Sequence, residues 1–274
     1  MTEVKKTLLK EGKTKKIWTT SESPHLVLIE NKDTITAGDG VRKDTFESKA
    51  FSATATTCNC FEFLNTRGIP THYKGQVDDN IFKACRVDMI PVECVARRVA
   101  FGSYLKRHPD VEEGTRLEKV KVEFFLKNDA QHDPLMVFDK DTGLFNLYQP
   151  KVPRASGFIS PLYVVFPSEI YDGFADDWVY IEKTTKDIFE ILEEAWNEQN
   201  VTLVDLKIEF GYSTETGTLL LADVVDNDSW RIWPDGDKSR MMDKEVYRVS
   251  ETSKSLMDQL KNNYAWVAEA TGKF

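Results

Sequence analysis

In Leu203-Val204-Asp205-Leu206-Lys207-Ile208-Glu209-Phe210 every even position is apolar, while Asp205, Lys207 and Glu209 occupy odd ones. A period of two belongs to a β-strand and puts the three charges on one face. A second apolar run, Leu219-Leu220-Leu221-Ala222-Asp223-Val224-Val225, follows Glu215-Thr216-Gly217, a three-residue hairpin loop with glycine in the left-handed position. Pairing Thr214 with Thr218 sets Glu209 directly opposite Asp223. Two like charges about 5 Å apart across a ladder repel unless a cation lies between them. This register predicts a divalent-metal site, and oxygen-only ligation without His or Cys suits Mg²⁺ bound partly through nucleotide phosphates better than zinc. A solvated polar face on an edge hairpin is the alternative, one register slip away. Asp226-Asn227-Asp228-Ser229-Trp230-Arg231 adds carboxylates and an arginine at the end of the same strand.

Upstream, Thr7 to Glu11, Gly12-Lys13-Thr14-Lys15 and Lys16 to Thr20 read as strand, tight basic loop and strand, with Leu26 to Ile29 as a third strand. A P-loop is excluded, because the Walker pattern needs glycine where Thr7 stands and a helix where a strand is predicted. What remains is a flap whose Gly12 lets amides approach phosphate oxygens and whose Lys13 and Lys15 neutralise them. A solvated basic turn is the other reading.

Arg97 through Pro109 carries Arg97, Arg98, Lys106 and Arg107, with no acid between Cys94 and Pro109. Such a patch calls for an anion: Gly102-Ser103 offers an amide and a hydroxyl beside guanidinium groups and the Lys106 ammonium, a set suited to a phosphate monoester or carboxylate. A solvated helix face is the alternative. Lys127-Asn128-Asp129-Ala130-Gln131-His132-Asp133-Pro134 reads as a turn closed by Asp-Pro, with no role for His132.

Residues 43 to 67 carry a helical stripe of Phe46, Ala50, Ala53, Thr57, Phe61 and Leu64, with Asp44 and Glu47 in the first turn. Met89 to Ala100 reads as a connector strand. Residues 135 to 178, rich in proline, read as a loop-rich insertion. Two amphipathic helices follow, on Ile181, Ile188, Ile191, Leu192, Ala195 and Trp196 and on Leu256, Leu260, Tyr264 and Val267. The division expected is a β-rich nucleotide lobe over 1–90 and a mixed α/β lobe over 91–274.

The 274 residues, 41% of them hydrophobic, suffice for a sizeable core. A net charge of -9 argues against nucleic acid or an anionic membrane as the main partner. No run approaches a membrane span and Met1 to Lys6 lacks the apolar stretch of a signal peptide, so a cytoplasmic protein is expected. Cys58, Cys60, Cys85 and Cys94 make no CxxC and are expected to be buried, reduced hydrophobes.

The ordered set Glu11 to Lys15, Arg97 to Pro109, Lys127 to Pro134, Asp205 to Gly211 and Leu221 to Trp233 closely resembles the SAICAR synthetase (phosphoribosylaminoimidazole-succinocarboxamide synthase) family, over most of the chain and in the family's order. The resemblance implies an α+β, two-lobed, ATP-grasp-like fold. It also implies an ATP-dependent ligase of purine biosynthesis that joins L-aspartate to carboxyaminoimidazole ribotide (CAIR) through an acyl phosphate. By the same resemblance Gly12, Lys13, Thr14 and Lys15 form the flap over ATP, Met89 to Glu93 the hinge beside adenine, and Glu209 and Asp223 the Mg²⁺ carboxylates. Arg97, Ser103, Lys106 and Arg231 are expected on the ribotide. Lys207 reaches a phosphate or acyl oxygen, and Lys127, Asp133, Asp228, Lys244 and Arg248 lie near the substrates. The expected partners are therefore ATP, CAIR and L-aspartate, with a homo-oligomer left open.

Two features depart from the family pattern. The stretch from about Met136 to Trp178 reads longer than its counterpart. Asp226 to Trp230 has the form seen in bifunctional animal members, where an AIR carboxylase domain follows; this chain stops at Phe274, so synthetase activity alone is expected. The rival readings are another ATP-dependent phosphotransferase or carboxylate-amine ligase, and a nucleotide-binding regulatory module. No lysine or carboxylate of the pattern is missing, which disfavours the last.

Overall fold

The computed structural model describes residues 6–21, 23–38, 40–161 and 168–274, with side chains from 177 onward in the last segment. Residues 1–5, and 162–167 within the expected insertion, lie outside the described residues.

Strands β1 (Lys6–Glu11), β2 (Lys15–Thr20) and β3 (Leu26–Asn31) form the expected meander. A short hairpin of β4 (Thr34–Ala37) and β5 (Arg42–Thr45) leads into helix α1 (Lys49–Thr66). β6 (Tyr73–Asp78) and β7 (Ile81–Cys85) then complete an antiparallel sheet of order β1-β2-β3-β7-β6. The helix begins at Lys49 rather than near 43, because Arg42 to Thr45 pair with β4. Asp44 caps nothing; its carboxylate accepts hydrogen bonds from the Tyr247 and Thr252 hydroxyls at 2.7 and 2.8 Å. The predicted stripe is otherwise on the inner face of α1, with Ala53, Phe61 and Leu64 fully buried.

The second sheet starts at the connector, β8 (Val87–Val99), which is followed by the short helix α2 (Ser103–Arg107) and by β9 (Arg116–Leu126). The expected loop-rich insertion instead contributes β10 (Leu135–Asp139), β11 (Leu144–Tyr148) and β12 (Phe158–Pro161), and then the start of helix α3 (Ser168–Asn197). Among its described prolines, Pro150 and Pro153 fall in the connection between β11 and β12 and Pro161 ends β12, where a missing N–H breaks no ladder. β13 (Val201–Ser213), β14 (Leu219–Ala222), β15 (Trp230–Pro234), the short α4 (Glu245–Val249) and α5 (Lys254–Thr271) complete the chain. The sheet order is β12-β11-β10-β9-β8-β13-β14, with β15 also paired to β13.

One face of β13 delivers Leu206, Ile208 and Phe210 to the main core, where α3 contributes Ile188, Leu192 and Trp196. A bulge in its pairing with β15 between Leu203 and Asp205 puts Leu203 in this core too and sends Val204 to a separate cluster with Phe101 and Trp233. The alternation of charged and core positions therefore runs from Asp205 onward, and Val204 does not share the face of Leu206, Ile208 and Phe210. The main core continues into the first sheet through Val27, Phe82 and Phe61, and a second cluster packs Ile35 and Phe46 against Tyr247, Leu260 and Tyr264. All four cysteines are free and buried, and burial pushes the Cys58 thiol up to about 12.

The hairpin register needs correction. Glu209 pairs with Ala222, not Asp223. The Ser213 amide donates to Thr218 O at 2.9 Å and the Gly217 amide to Ser213 O at 2.8 Å, making a four-residue loop over Thr214 to Gly217, with Gly217 at φ 69°. Thr214 is drawn out of the ladder by the turn between β7 and β8, to which its amide and hydroxyl donate at Arg86 O. No helix among the described residues is long and apolar enough to cross a membrane.

Candidate active site

β13 is bonded along one edge by β8 and along the other by two strands in succession, β15 against Val201 to Leu206 and β14 against Glu209 to Tyr212. Between these the edge splits at Lys207, whose amide donates to Ser229 O at 2.6 Å. The chain from Asp223 to Ser229 crosses the gap. β14 ends at Ala222, and Asp223 turns through φ 61°, a conformation uncommon for a residue with a Cβ. This turn, rather than ladder pairing, brings its carboxylate beside the charged face of β13.

Glu209 is 3% exposed and held between two ammonium groups, Lys127 Nζ at 2.7 Å and Lys207 Nζ at 2.8 Å. Lys207 also lies 3.5 Å from Glu93, and Lys15 of β2 makes an ion pair with Asp223. Burial works against ionising Glu209 and Asp223, and each carboxylate raises the other's threshold or shares the other's lysines. The ammonium groups win: Glu209 is held below its ordinary value by Lys207 and Lys127, and Asp223 by Lys15 and Lys207. Burial likewise opposes charge on Lys207, yet Glu209, Glu93 and Asp223 hold its pKa well above the ordinary range. Both acids are thus anions at neutral pH, interleaved with lysines that balance their charge.

Most predicted site residues meet here. Lys13, Thr14, Lys15, Glu93, Arg97, Ser103, Lys127, Lys207, Glu209, Asp223, Asp228, Arg231, Lys244 and Arg248 line one polar cavity of about 470 Å³. Gly12 and Met89 line an adjoining, more apolar slot of about 610 Å³ with Leu9, Ile17, Val27 and Ile29, and Lys15, Lys127, Glu209 and Asp223 form the boundary between the two. Asp133 borders a shallower recess with Lys13 and Lys127, its carboxylate accepting from the Asn128 amide at 2.8 Å. Two placements differ from expectation. Glu93 faces the polar cavity rather than the slot that holds Met89. Lys106 is exposed on α2 and lines neither space.

The basic segment is also not one patch. Arg98, next to Arg97 on β8, points to the opposite sheet face and bonds Glu193 of α3 at 2.8 Å. Arg107 is buried on Glu123 at 2.6 Å. Arg97 alone of the three arginines reaches the cavity, with Nε on Glu123 and Nη1 on Asp205, both at 2.7 Å, and Nη2 3.4 Å from Ser103 Oγ. Arg231 joins it on Asp205 at 2.5 Å and packs against Gly102, where a Cβ would lie 3.0 Å from Arg231 Nη2; Gly102 is also at φ 61°. Lys49 and Asp226 line the same cavity, 2% and 3% exposed, and the sequence reading did not select them. Lys49 starts a helix in the other half of the chain, so only topology brings it here.

His72 supports the Asp223 turn from below, with Nε2 3.1 Å from the Asp223 carbonyl. Burial is the main reason its pKa falls from 6.5 to about 4. A group with a depressed folded value contributes stability above its unfolded pKa and loses it as pH falls towards the folded one, so the window is pH 6.5 to 4. The expected loss between pH 7 and pH 5 is roughly 2 kcal/mol from this group. Denaturant unfolding at the two pH values should show that difference shrink by about this amount in His72→Phe.

The SAICAR synthetase family model matches residues 8–263. The phosphoribosylaminoimidazole-succinocarboxamide synthase of Roseiflexus sp. (strain RS-1) is 42% identical over 264 residues, which span 96% of this chain and 95% of that protein. The bifunctional purine synthesis protein purC/E of Dictyostelium discoideum is 42% identical over 98% of this chain, but the match spans only 27% of that protein. A solved SAICAR synthetase (type-2) in complex with ADP superposes with a TM-score of 0.75 at 28% identity, covering 98% of this chain and 97% of the other. Agreement over nearly all of the catalytic-length relative, together with the shared fold, decides the assignment: the chain belongs to the SAICAR synthetase family.

Proposed function

We propose that this chain joins L-aspartate to the carboxylate of CAIR with hydrolysis of ATP, giving SAICAR, ADP and phosphate. The carrying observation is the split edge of β13, which sets Glu209 and Asp223 among Lys15, Lys127 and Lys207 between an apolar slot and an arginine-bearing polar cavity. The slot suits a purine ring, and Lys13 and Lys15 of the flap suit its phosphates. Arg97, Ser103 and Arg231 suit the ribotide. The division of labour proposed is residues 1–90 for the nucleotide and 91–274 for the ribotide and metal.

The donor set fits Mg²⁺: two adjacent carboxylates, ionised despite burial, without His or Cys, and too few to complete a coordination shell without phosphate oxygens. Bound there by Glu209 and Asp223, the ion would neutralise charge on the transferring phosphoryl group. Lys15, Lys127 and Lys207 add fixed positive charge at the same place, so the protein contributes position and electrostatics rather than a nucleophile. The CAIR carboxylate oxygen takes the γ-phosphoryl group from ATP, forming an acyl phosphate and ADP. The aspartate amine, having lost a proton, then attacks the acyl carbon, the C–N bond forms, and phosphate leaves with the C–O bond pair. Reduced, buried cysteines suit a cytoplasmic setting.

ADP release should require ATP, CAIR, L-aspartate and Mg²⁺ together. Full turnover with aspartate omitted would favour a phosphotransferase, and turnover with another amine would favour a different carboxylate-amine ligase.

A further inference from the structure

Pro70, Thr71 and His72 run from the end of α1 alongside β14. The Leu221 amide donates to Pro70 O at 3.0 Å, the His72 amide donates to Leu221 O at 2.9 Å, and Thr71 and Leu221 form a parallel bridge. The Cys85 amide, at the end of β7, donates to His72 O at 2.7 Å. His72 is 2% exposed, and its ring stands edge-on to Phe61 of α1 and Phe82 of β7, with centroids 5.4 and 5.9 Å apart. Its backbone and its ring are therefore fixed before the site is reached. Nε2 then lies 3.1 Å from the Asp223 carbonyl oxygen, and since a carbonyl only accepts, Nε2 carries the proton and donates.

Asp223 is where the chain leaves β14, and at φ 61° a residue with a Cβ is strained unless its surroundings hold it there. The next carbonyl, Val224 O, is held from within the loop, accepting from Ser229 Oγ at 3.1 Å. The Asp223 carbonyl is held from outside it, by His72. Pinning this peptide plane limits where the adjoining carboxylate can point, and a metal ligand has to be held within about 0.5 Å of its productive place. We propose that His72 is a positioning residue for the metal: its hydrogen bond to the Asp223 carbonyl sets the left-handed turn that aims the Asp223 carboxylate at Mg²⁺ beside Glu209. This rests on the reading of Glu209 and Asp223 as the metal carboxylates. Because His72 also lines the apolar slot, the half of the chain assigned to the nucleotide aims a metal ligand that belongs to the other half.

The test separates metal binding from nucleotide binding in wild type, His72→Phe, His72→Gln and His72→Asn, with thermal melts to verify folding. Mn²⁺ stands in for Mg²⁺, its free concentration read by electron paramagnetic resonance at saturating ADP, and ADP binding without metal is measured by calorimetry in EDTA. His72→Phe keeps a ring and removes the donor, so Kd for Mn²⁺ should rise at least about fivefold while Kd for metal-free ADP stays within about twofold. His72→Gln places an amide donor near the Nε2 position and should recover most of the metal affinity, whereas His72→Asn, shorter by a methylene, should not. A packing role alone predicts the reverse order, with His72→Phe the mildest. If His72→Phe does not fold, the contrast between His72→Gln and His72→Asn decides. An unchanged Kd for Mn²⁺ in folded His72→Phe, equal losses in the Gln and Asn variants, or a loss of metal-free ADP affinity as large as that for Mn²⁺ overturns the proposal. Failure of Asp223→Asn to weaken Mn²⁺ binding would overturn the metal-site reading itself, a result distinct from these.

Discussion

Glu209→Gln and Asp223→Asn should each lower kcat by at least about a hundredfold, or roughly 2.7 kcal/mol of barrier. Both substitutions keep shape and remove one negative charge at the boundary between the apolar slot and the polar cavity. For Glu209 there is a second consequence: Lys127 and Lys207 lose their shared carboxylate, and among the described ion pairs Lys207 keeps the one to Glu93 at 3.5 Å. Its variant should therefore also lose stability. Asp223→Asn leaves Lys15 without its partner at a less enclosed position, 26% exposed on the acid side chain, so its stability cost should be smaller. The pair thus separates catalysis from folding: similar losses in kcat with dissimilar shifts in thermal midpoint. Raising Mg²⁺ should recover part of the rate if the lost charge weakened metal binding. If both variants turn over at near-normal rates, the split edge of β13 is not where the phosphoryl group moves.

The strand that carries this chemistry was legible because period-two alternation is a local property: Asp205, Lys207 and Glu209 share a face whatever the rest of the chain does. Their partner was not legible by the same route. Counting back from Gly217 gives a three-residue loop, and only the pull of Arg86 O on Thr214 makes it four. Asp223 reaches the site through a positive φ at a non-glycine residue, which no pattern announces. Glu209 and Asp223 thus do lie side by side, but not through the register read from the sequence. The basic segment failed differently. Arg97 and Arg98 are adjacent on the strand expected over Met89 to Ala100, so they must point to opposite faces, and treating four cations as one patch overlooked that alternation. Lys49 and Asp226 needed the packing of α1 against α5 and the loop after β14, contacts between residues far apart in the chain. Residues 135 to 161 read as irregular because short strands with proline at or near their ends look like loops in a single sequence.

Arg97→Ala should cost about 3–5 kcal/mol of stability, because its guanidinium ties together two buried carboxylates, Glu123 and Asp205, whose side chains are 5% and 7% exposed. Desolvation raises the Glu123 threshold, and the charges of Arg97 and Arg107 bring it below the ordinary value. Removing Arg97 leaves Arg107 on Glu123 and Arg231 on Asp205, which keeps the loss from being larger. Denaturant unfolding at neutral pH measures it. This arrangement limits the part proposed for the arginine in ribotide binding: Nε and Nη1 are occupied on the two acids, and Nη2 lies beside Ser103 Oγ. In the proposed function its part would be mostly to fix Asp205 beside Arg231, and Ser103 offers the cleaner probe. Ser103→Ala touches neither buried carboxylate, so it should fold normally and weaken CAIR binding about three- to tenfold, the worth of one hydrogen bond, with ATP affinity unchanged. A stability loss under about 1 kcal/mol in Arg97→Ala would mean that the two acids relax to water when the cation is removed, and the cluster would be a ligand site held in waiting rather than a structural knot.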